Sequence, residues 1–318
     1  MPGNGQPPNG SWQWRSCRGG FGAPVGLNER ALSGRVPRAR PQGPVCCGRE
    51  LPVSAPLRWM FARLSRGVVL KREMPLEHAG ARICLSPEAS LKFWRRDSRR
   101  YDPGLMALAK ELVRPGAVVW DIGANVGLFA LAAAFAAGSE GQVVAVEADP
   151  WVAGLLGRSA ERLPPSHAPI TVVQAAVCDR SGRVDLAISS RSRAATHLAE
   201  VQGTLLAGRA SRVESVSCLA FDDLLLSHPG PSVLKIDVES AEVLVLRGAG
   251  KVLKLQPIVL CEVESGNVAA VSDALHRQGY ELFDAEETAR PRRRISAATF
   301  NTLALPGGAV NETPRVAP

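Results

Sequence analysis

The segment from Trp120 to Gly127, WDIGANVG, combines residue types that could hold a ligand at the end of a strand. It follows the apolar run 117–119, which is typical of a buried strand. Gly123 and Gly127 permit backbone conformations that other residues avoid, and they let a ligand approach without meeting a Cβ. Asp121 adds a carboxylate that could hold a cationic amine or a water. The segment therefore predicts a ligand site where a strand turns into a helix.

A second acidic residue lies 24 positions after Gly123. Glu147 ends the run VVAVE, and an acid at this place can accept hydrogen bonds from both hydroxyls of an adenosine ribose. Ala124 and Asn125 give the pattern D-x-G-x-N-x-G, which differs from the G-x-G-x-x-G of dinucleotide sites. A ligand without phosphates and with a cationic amino acid end suits Asp121 better than a pyrophosphate, because two negative groups repel. The pattern favours S-adenosylmethionine over a dinucleotide.

The elements that position these residues follow an alternating pattern. Runs rich in Val, Ile and Leu alternate with helical patterns from about residue 105 onward, which is typical of βαβ units. We predict seven strands, at residues 117–121, 142–147, 170–174, 232–237, 257–262, 280–284 and 297–303. Helices are predicted at 126–137, 150–163, 241–248 and 267–278. The expected fold is α/β and Rossmann-like, a mostly parallel sheet with helices on both faces.

Two further runs alternate apolar and polar residues between the third and fourth predicted strands. Residues 183–189 and 212–218 predict an antiparallel pair at the edge of the sheet, bridged by a polar loop at 191–203. Seven cysteines show no C-x-x-C pair, which favours single buried thiols in a reducing compartment.

The positive charge is concentrated near the N terminus. Residues 1–75 hold 12 Lys or Arg and 3 Glu, whereas the other residues hold 26 basic and 27 acidic side chains. Since nucleic-acid-binding domains gather basic residues on the folded surface, we expect no nucleic-acid partner. The longest apolar stretch, 126–137, is shorter than the ~20 residues that span a bilayer. We expect no membrane partner and a cytoplasmic location.

Four regions follow from these patterns. Residues 1–60 are a disordered leader rich in Arg, Pro and Gly, and residues 61–100 are an N-terminal extension that packs on the catalytic domain. Residues 101–305 form that domain, and residues 306–318 are a flexible tail. The leader holds 19 Gly or Pro. In an alternative interpretation, translation starts at Met60 or Met74 and the leader is not part of the protein.

Three motifs in order resemble the FkbM family of S-adenosylmethionine-dependent methyltransferases. They are VVWDIGANVGLFAL, VVAVEADP and LKIDVESAEVLVLRGA, within a likeness that covers about residues 100–305. Ser240 stands where the family usually has Gly, and Ala148 and Asp149 replace the usual Pro and Asn. The resemblance implies a class I methyltransferase fold, S-adenosylmethionine as cofactor and a small-molecule acceptor. It implies O-methylation of a hydroxyl on a sugar or secondary metabolite.

The predicted cofactor-binding residues lie on the first two motifs and after the third strand. They are Asp121, Gly123, Ala124, Asn125, Gly127 and Glu147, with Cys178 and Asp179 beside the adenine. In the third motif, on the fourth predicted strand, Lys235, Asp237 and Glu239 alternate, so they share one face of the strand.

We predict Asp237, Glu239 and Lys235 as catalytic residues. Asp237 could contact the cofactor or take the proton of a hydroxyl acceptor, and Glu239 could orient that acceptor. A structural ion pair of Lys235 with one carboxylate is the alternative. The carboxylates of Asp237, Glu239 and Glu262 could instead gather a Mg²⁺ ion, but no metal site is predicted, since the chain shows no ligand set of fixed spacing.

Two other functions are compatible with a Rossmann-like domain. One is an NAD-dependent oxidoreductase, although the chain has only two Tyr and no Tyr-x-x-x-Lys. The other is a non-catalytic module that binds a ligand or partner. We make no prediction of the oligomeric state.

Overall fold

A computed structural model describes residues 67–75, 80–189, 197–198 and 210–308. The predicted leader lies outside these residues, as do the alternative start at Met60, most of the loop at 191–203 and most of the tail.

Strands and helices alternate through most of the described part of the chain. The strands are β1 (Leu70–Glu73), β2 (Arg82–Leu85), β3 (Val118–Ile122), β4 (Gln142–Glu147), β5 (Ile170–Gln174), β6 (Ala176–Cys178), β7 (Gly182–Ser189), β8 (His197–Leu198), β9 (Ala210–Ala220), β10 (Val233–Ile236), β11 (Ile258–Glu262), β12 (Tyr280–Asp284), β13 (Arg294–Ile295) and β14 (Asn301–Pro306). The α-helices are α1 (Pro103–Leu112), α2 (Leu128–Ala137), α3 (Pro150–Ala160), α4 (Glu242–Arg247), α5 (Gly250–Lys254) and α6 (Val268–Arg277).

The main sheet of the described residues has eight strands in the order β5-β4-β3-β10-β11-β14-β12-β13. The first five run parallel, while β14 lies antiparallel between β11 and β12. The predicted Rossmann-like α/β fold is confirmed, but the count of seven strands is wrong. The extra strand, β13, has two residues, too few for an alternating pattern to show in the sequence.

Helices cover both faces of this sheet, as predicted. Along β3, Val119 packs into a buried cluster with α1, α2 and α3, and Trp120 packs into a second cluster with α4, α5 and α6. This alternation follows from the two-residue period of a strand. Asp121, two residues after Val119, therefore points to the α2 side.

A second sheet of four strands, in the order β6-β9-β7-β8, stands beside the first. Strands β7 and β9 pair antiparallel, with Val184 opposite Val216, which confirms the predicted pairing of 183–189 with 212–218. Their placement at the edge of the main sheet is wrong. The chain leaves β5 after Gln174 and continues as β6, which pairs with β9 in a separate sheet.

A disulfide links Cys178 of β6 to Cys218 of β9, so the expectation of single thiols is wrong for this pair. The two residues are 40 positions apart, and only the pairing of β6 with β9 brings them together. Cys84 and Cys261 are free and buried, as expected.

The segment before α1 packs against the α3 side of the sheet. Strands β1 and β2 pair antiparallel, and the backbone N–H of Cys84 donates to Ser159 Oγ of α3 at 2.8 Å. Phe93 and Tyr101 form an edge-to-face pair with ring centres 5.2 Å apart. None of the described helices has the length and apolar character needed to cross a membrane.

Candidate active site

A cavity of about 260 Å³ opens at the carboxyl ends of β3, β4 and β10. The glycine loop after β3 supplies one wall through Gly123, Ala124 and Asn125, and Glu147 stands at the end of β4. The structure brings these four predicted residues together with the three predicted catalytic ones, Lys235, Asp237 and Glu239. The described residues hold no group of three or more His, Cys, Asp or Glu arranged to bind a metal ion.

The glycines of the loop adopt the backbone conformations expected of them, and each one also lies close to a neighbouring segment of the chain. Gly123 has φ +76°, and a Cβ there would lie 1.7 Å from the backbone oxygen of Asp237. At Gly127, with φ +89°, a Cβ would lie 2.3 Å from a methyl carbon of Leu156. Both glycines therefore make room for neighbouring chain segments. Gly123 still lines the cavity with its backbone, whereas Gly127 lies outside the lining.

Glu147 is held by the backbone on both sides of its carboxylate. Oε2 accepts a hydrogen bond from the Asn125 N–H at 2.7 Å, and Oε1 accepts one from the Asp149 N–H at 2.8 Å. Each oxygen keeps a second lone pair, so the carboxylate can still accept from two hydroxyls of a ligand. Burial raises the pKa of Glu147 to about 7, although both backbone hydrogen bonds act in the opposite direction.

Asp149 explains one departure from the family pattern. Its Oδ1 accepts hydrogen bonds from the N–H groups of Trp151 and Val152, so it caps the N terminus of α3. Asn and Asp are equally good at this position, because both offer a side-chain oxygen to the first free N–H groups.

Lys235 lies between two aspartates beneath the cavity. Its Nζ is 3.2 Å from Asp121 Oδ1 and 3.1 Å from Asp237 Oδ2. Asp121 is 0% exposed and does not line the cavity, whereas the Asp237 side chain is 29% exposed. Burial alone would lower the pKa of Lys235, but the two aspartates raise it above its ordinary value. The ion pair weighed from the sequence exists, and Asp121 is its unforeseen third member.

The turn after β10 places Glu239 in an unusual backbone conformation. Glu239 has φ +43° and Ser240 has φ +73°, in the left-handed region that favours glycine. Glu242 fixes this turn by accepting from the Ser240 N–H at 2.8 Å, while Asn267 Nδ2 donates to the Ser240 oxygen at 3.0 Å. The usual glycine of the family at position 240 therefore fits the conformation that the serine adopts here.

Two predicted residues stand away from the cavity. Cys178 forms the disulfide with Cys218, and Asp179 Oδ1 lies 3.5 Å from the guanidinium of Arg180. The cavity wall at this point comes from residues 175–177. A contact of Cys178 or Asp179 with the adenine remains a prediction.

Several residues that line the cavity were missed from the sequence. They are Ser90, Lys92, Phe93, Asp102, Leu105, Leu186 and Leu198. Asp102 Oδ1 accepts from the Leu105 N–H at 3.1 Å and caps α1, and its Oδ2 lies 3.4 Å from Lys92 Nζ. The dipeptide Asp102-Pro103 signals a helix start, but no sequence pattern places that helix beside β3.

Comparison with known proteins identifies the family. The family model described as Methyltransferase FkbM domain matches residues 121–282, about half of the chain. The chain belongs to the FkbM methyltransferase family. It is an S-adenosylmethionine-dependent methyltransferase with the Rossmann-like class I fold, which sets aside the oxidoreductase and the non-catalytic module.

The FkbM chain is similar to the hexuronic acid methyltransferase AglP of Haloferax volcanii. The two are 24% identical over 212 residues, covering 64% of this chain and 82% of AglP. A methyltransferase FkbM from Methylobacillus flagellatus KT has a TM-score of 0.39 at 14% identity, over 65% of this chain and 59% of that one. An O-methyltransferase from Thermotoga maritima also scores 0.39 at 14% identity, over 68% and 69%. With TM-scores this low, the family match remains the deciding finding.

The residues of the FkbM cavity fit S-adenosylmethionine. Glu147 has free lone pairs for a ribose diol, and the apolar wall at 175–177 suits an adenine ring. The opposite end carries the carboxylates of Asp237, Glu239 and Glu262, which suit the positive charge of a sulfonium and an amino group. When bound, the cofactor supplies an electrophilic methyl group on sulfur.

Proposed function

We propose that this FkbM methyltransferase methylates a hydroxyl group of a carbohydrate or a related small molecule. The observation that carries the proposal is the position of three carboxylates, Asp237, Glu239 and Glu262, at the end of the cavity next to the glycine loop. A hydroxyl acceptor must lose its proton as it is methylated, and a carboxylate close by can receive it. The similarity to a hexuronic acid methyltransferase supports a carbohydrate acceptor.

The charge of the cavity favours a neutral hydroxyl over a carboxylate as the reacting group. Two lysines line the cavity, but Lys235 is already paired with two aspartates, and Lys92 lies 3.4 Å from Asp102. An acceptor carboxylate placed beside Glu239 and Glu262 would meet like charges. A hydroxyl can instead donate its hydrogen bond to one of these oxygens.

The proposed roles of the predicted residues divide between binding and positioning. Glu147 accepts hydrogen bonds from the ribose, and the backbone of residues 123–125 lines the cofactor. Asp121 acts indirectly, because it holds Lys235, which in turn holds Asp237 at the cavity wall. Glu239 orients the acceptor hydroxyl. This arrangement mainly fixes the reacting groups at attack distance, which is the main requirement of a displacement at carbon.

Incubation with methyl-labelled S-adenosylmethionine and a panel of glycosides tests this function. The panel contains 4-nitrophenyl β-glucoside, which offers only hydroxyls, and 4-nitrophenyl β-glucuronide, which also offers a carboxylate. Treatment of the products with alkali separates the two outcomes, since a methyl ether is stable and a methyl ester is hydrolysed. We expect a label that is stable to alkali on at least one glycoside. Label that is lost in alkali, or label found only on amines added to the panel, contradicts the proposal.

We infer a cytoplasmic location, and we infer that neither nucleic acid nor a membrane is a partner of the protein. The near-neutral charge of residues 76–318 supports the absence of a nucleic-acid partner. Including tRNA and a short duplex DNA in the same panel tests this point, and transfer of label to either contradicts it.

A further inference from the structure

Five carboxylates line the cavity, and hydrogen bonds already engage three of them. Glu147 accepts two backbone N–H groups, and Asp237 pairs with Lys235 at 3.1 Å. Asp102 caps α1 with one oxygen and contacts Lys92 with the other. A carboxylate bound to a lysine is a weak base, because the positive charge stabilises its ionised form. Two carboxylates without a partner among the described residues remain, on Glu239 and Glu262.

Glu262 is the better placed of these two for proton transfer. It is the last residue of β11, whose register with β10 sets Cys261 opposite Ile236, so Glu262 follows beside Asp237. On its other side it is opposite Asn301 of β14, so strand pairing holds the backbone of Glu262 on one side and that of the preceding Cys261 on both. Glu239 instead lies on the left-handed turn after β10. A base held on a strand between two others keeps a defined distance from the acceptor.

We propose that Glu262 is a catalytic residue that takes the proton of the acceptor hydroxyl, and that binding of the positively charged cofactor converts Glu262 to the carboxylate that this task requires. The inference rests on the proposed function, since only a hydroxyl acceptor needs a base. In the transfer, the acceptor oxygen forms a bond to the methyl carbon as its O–H bond breaks and the proton passes to Glu262. The carbon–sulfur bond breaks with its electron pair remaining on sulfur, and S-adenosylhomocysteine leaves.

The charges around Glu262 explain why the cofactor would change its protonation. Burial and the negative charge of Asp237 together raise the pKa of Glu262 to about 8, although Lys235 acts in the opposite direction. The other acids that interact with it are Glu264, Asp102 and Glu239. Burial likewise raises the pKa of Glu239 to about 8, with Asp237, Glu262, Glu264 and Glu242 acting in the same direction. A positive charge in the cavity lowers both pKa values and releases a proton.

Calorimetry with two ligands tests this step without an acceptor. S-adenosylmethionine carries a positive sulfonium, whereas S-adenosylhomocysteine has a neutral sulfur in the same skeleton. Titration of each in phosphate and in Tris, at about pH 7.5, gives the number of protons released from the dependence on the buffer's ionisation enthalpy. We expect binding of S-adenosylmethionine to release about half a proton per site more than binding of S-adenosylhomocysteine. Equal release with the two ligands overturns the proposal.

Matched variants assign the released proton. In Glu262→Gln the difference between the two ligands falls by at least about half. Glu140→Gln serves as the control, because Glu140 precedes β4 at the opposite edge of the sheet from the cavity and outside its lining, and it keeps the full difference. A full difference in Glu262→Gln overturns the assignment.

The pH dependence of methyl transfer tests Glu262 as the base, with whichever glycoside of the panel gives a methyl ether. We expect Glu262→Gln to lower kcat/KM by ~10²-fold or more and to remove the rise of the rate with pH. Glu239→Gln should change KM for the glycoside but keep the rise of the rate with pH, since Glu239 only orients the acceptor. Retention of the pH-dependent rise in Glu262→Gln, or its loss in Glu239→Gln alone, overturns the proposal. If no glycoside is methylated, the proposed function fails, and the calorimetric result still decides whether Glu262 releases its proton to the solvent when the cofactor binds.

Discussion

Replacement of Lys235 by Met should destabilise the protein severely. Lys235 Nζ is 3.2 Å from Asp121 Oδ1, and Asp121 is 0% exposed, so no water can replace the lost ammonium. Breaking a buried pair by removing one member costs ~3–5 kcal/mol. A domain of ordinary stability has a free energy of unfolding of ~5–15 kcal/mol, so the variant loses at least about a fifth of it.

The pH and a second substitution separate this cause from simple loss of packing. Protonation removes the stranded charge of Asp121, so the cost of Lys235→Met should be larger at about pH 8 than at about pH 5. The double variant Asp121→Leu/Lys235→Met removes both buried charges and should recover most of the loss. Urea unfolding followed by circular dichroism measures each value. A cost below about 1 kcal/mol at the higher pH, or a double variant no more stable than the single one, refutes a buried ion pair.

Three further predictions concern the backbone and the acids of the cavity. Gly123→Ala sets a Cβ 1.7 Å from the backbone oxygen of Asp237, so thermal unfolding should show that the free energy of unfolding falls by more than ~1–2 kcal/mol. Gly104→Ala is the control, because a Cβ at Gly104 meets no atom within 4 Å, and it should be neutral or slightly stabilising. Ser240 has a left-handed φ of +73°, and Ser240→Gly should relieve this strain, so the free energy of unfolding rises by up to ~1 kcal/mol and the melting temperature rises with it. A lower melting temperature contradicts the strain. Since the pKa values of Glu239 and Glu262 are raised to about 8, their contribution to stability is present at low pH and is lost as the pH rises through that value. The free energy of unfolding of the cofactor-free protein should therefore fall as the pH rises. It should fall less steeply in the double variant Glu239→Gln/Glu262→Gln, and an equal dependence on pH in the two proteins would contradict the raised pKa values.

Most strands of the main sheet were readable from the sequence because their segments are rich in Val, Ile and Leu and alternate with helical patterns. The predicted bounds of β4, β5 and β12 agree with the structure, and those of β3 and β11 differ by one residue. The last strand begins at Asn301, four residues later than predicted. The Thr302 hydroxyl donates to the Thr299 oxygen at 2.7 Å and accepts from the Thr299 N–H at 2.8 Å, so a side-chain-stabilised turn occupies the predicted start.

The site was predictable where one motif carries it and not where distant segments meet. Glu147 and Asp237 follow from strand ends, since the carboxyl ends of parallel strands share one edge. The contact of Asp121 with Lys235 depends on the register of β3 with β10, across 114 positions, and no local pattern encodes that register. The same holds for Lys92 of the N-terminal segment, which reaches the cavity only through packing of that segment, whereas Glu262, like Asp237, ends a predicted parallel strand.

A crystal structure of the complex with S-adenosylhomocysteine tests the central claim most directly. The account predicts both ribose hydroxyls within about 2.6–3.2 Å of the Glu147 carboxylate, which keeps its hydrogen bonds from Asn125 and Asp149. It also predicts the sulfur at the end of the cavity that Asp237 lines, with Asp121 making no contact to the ligand. A ribose bound away from Glu147, or a ligand bound outside this cavity, contradicts it.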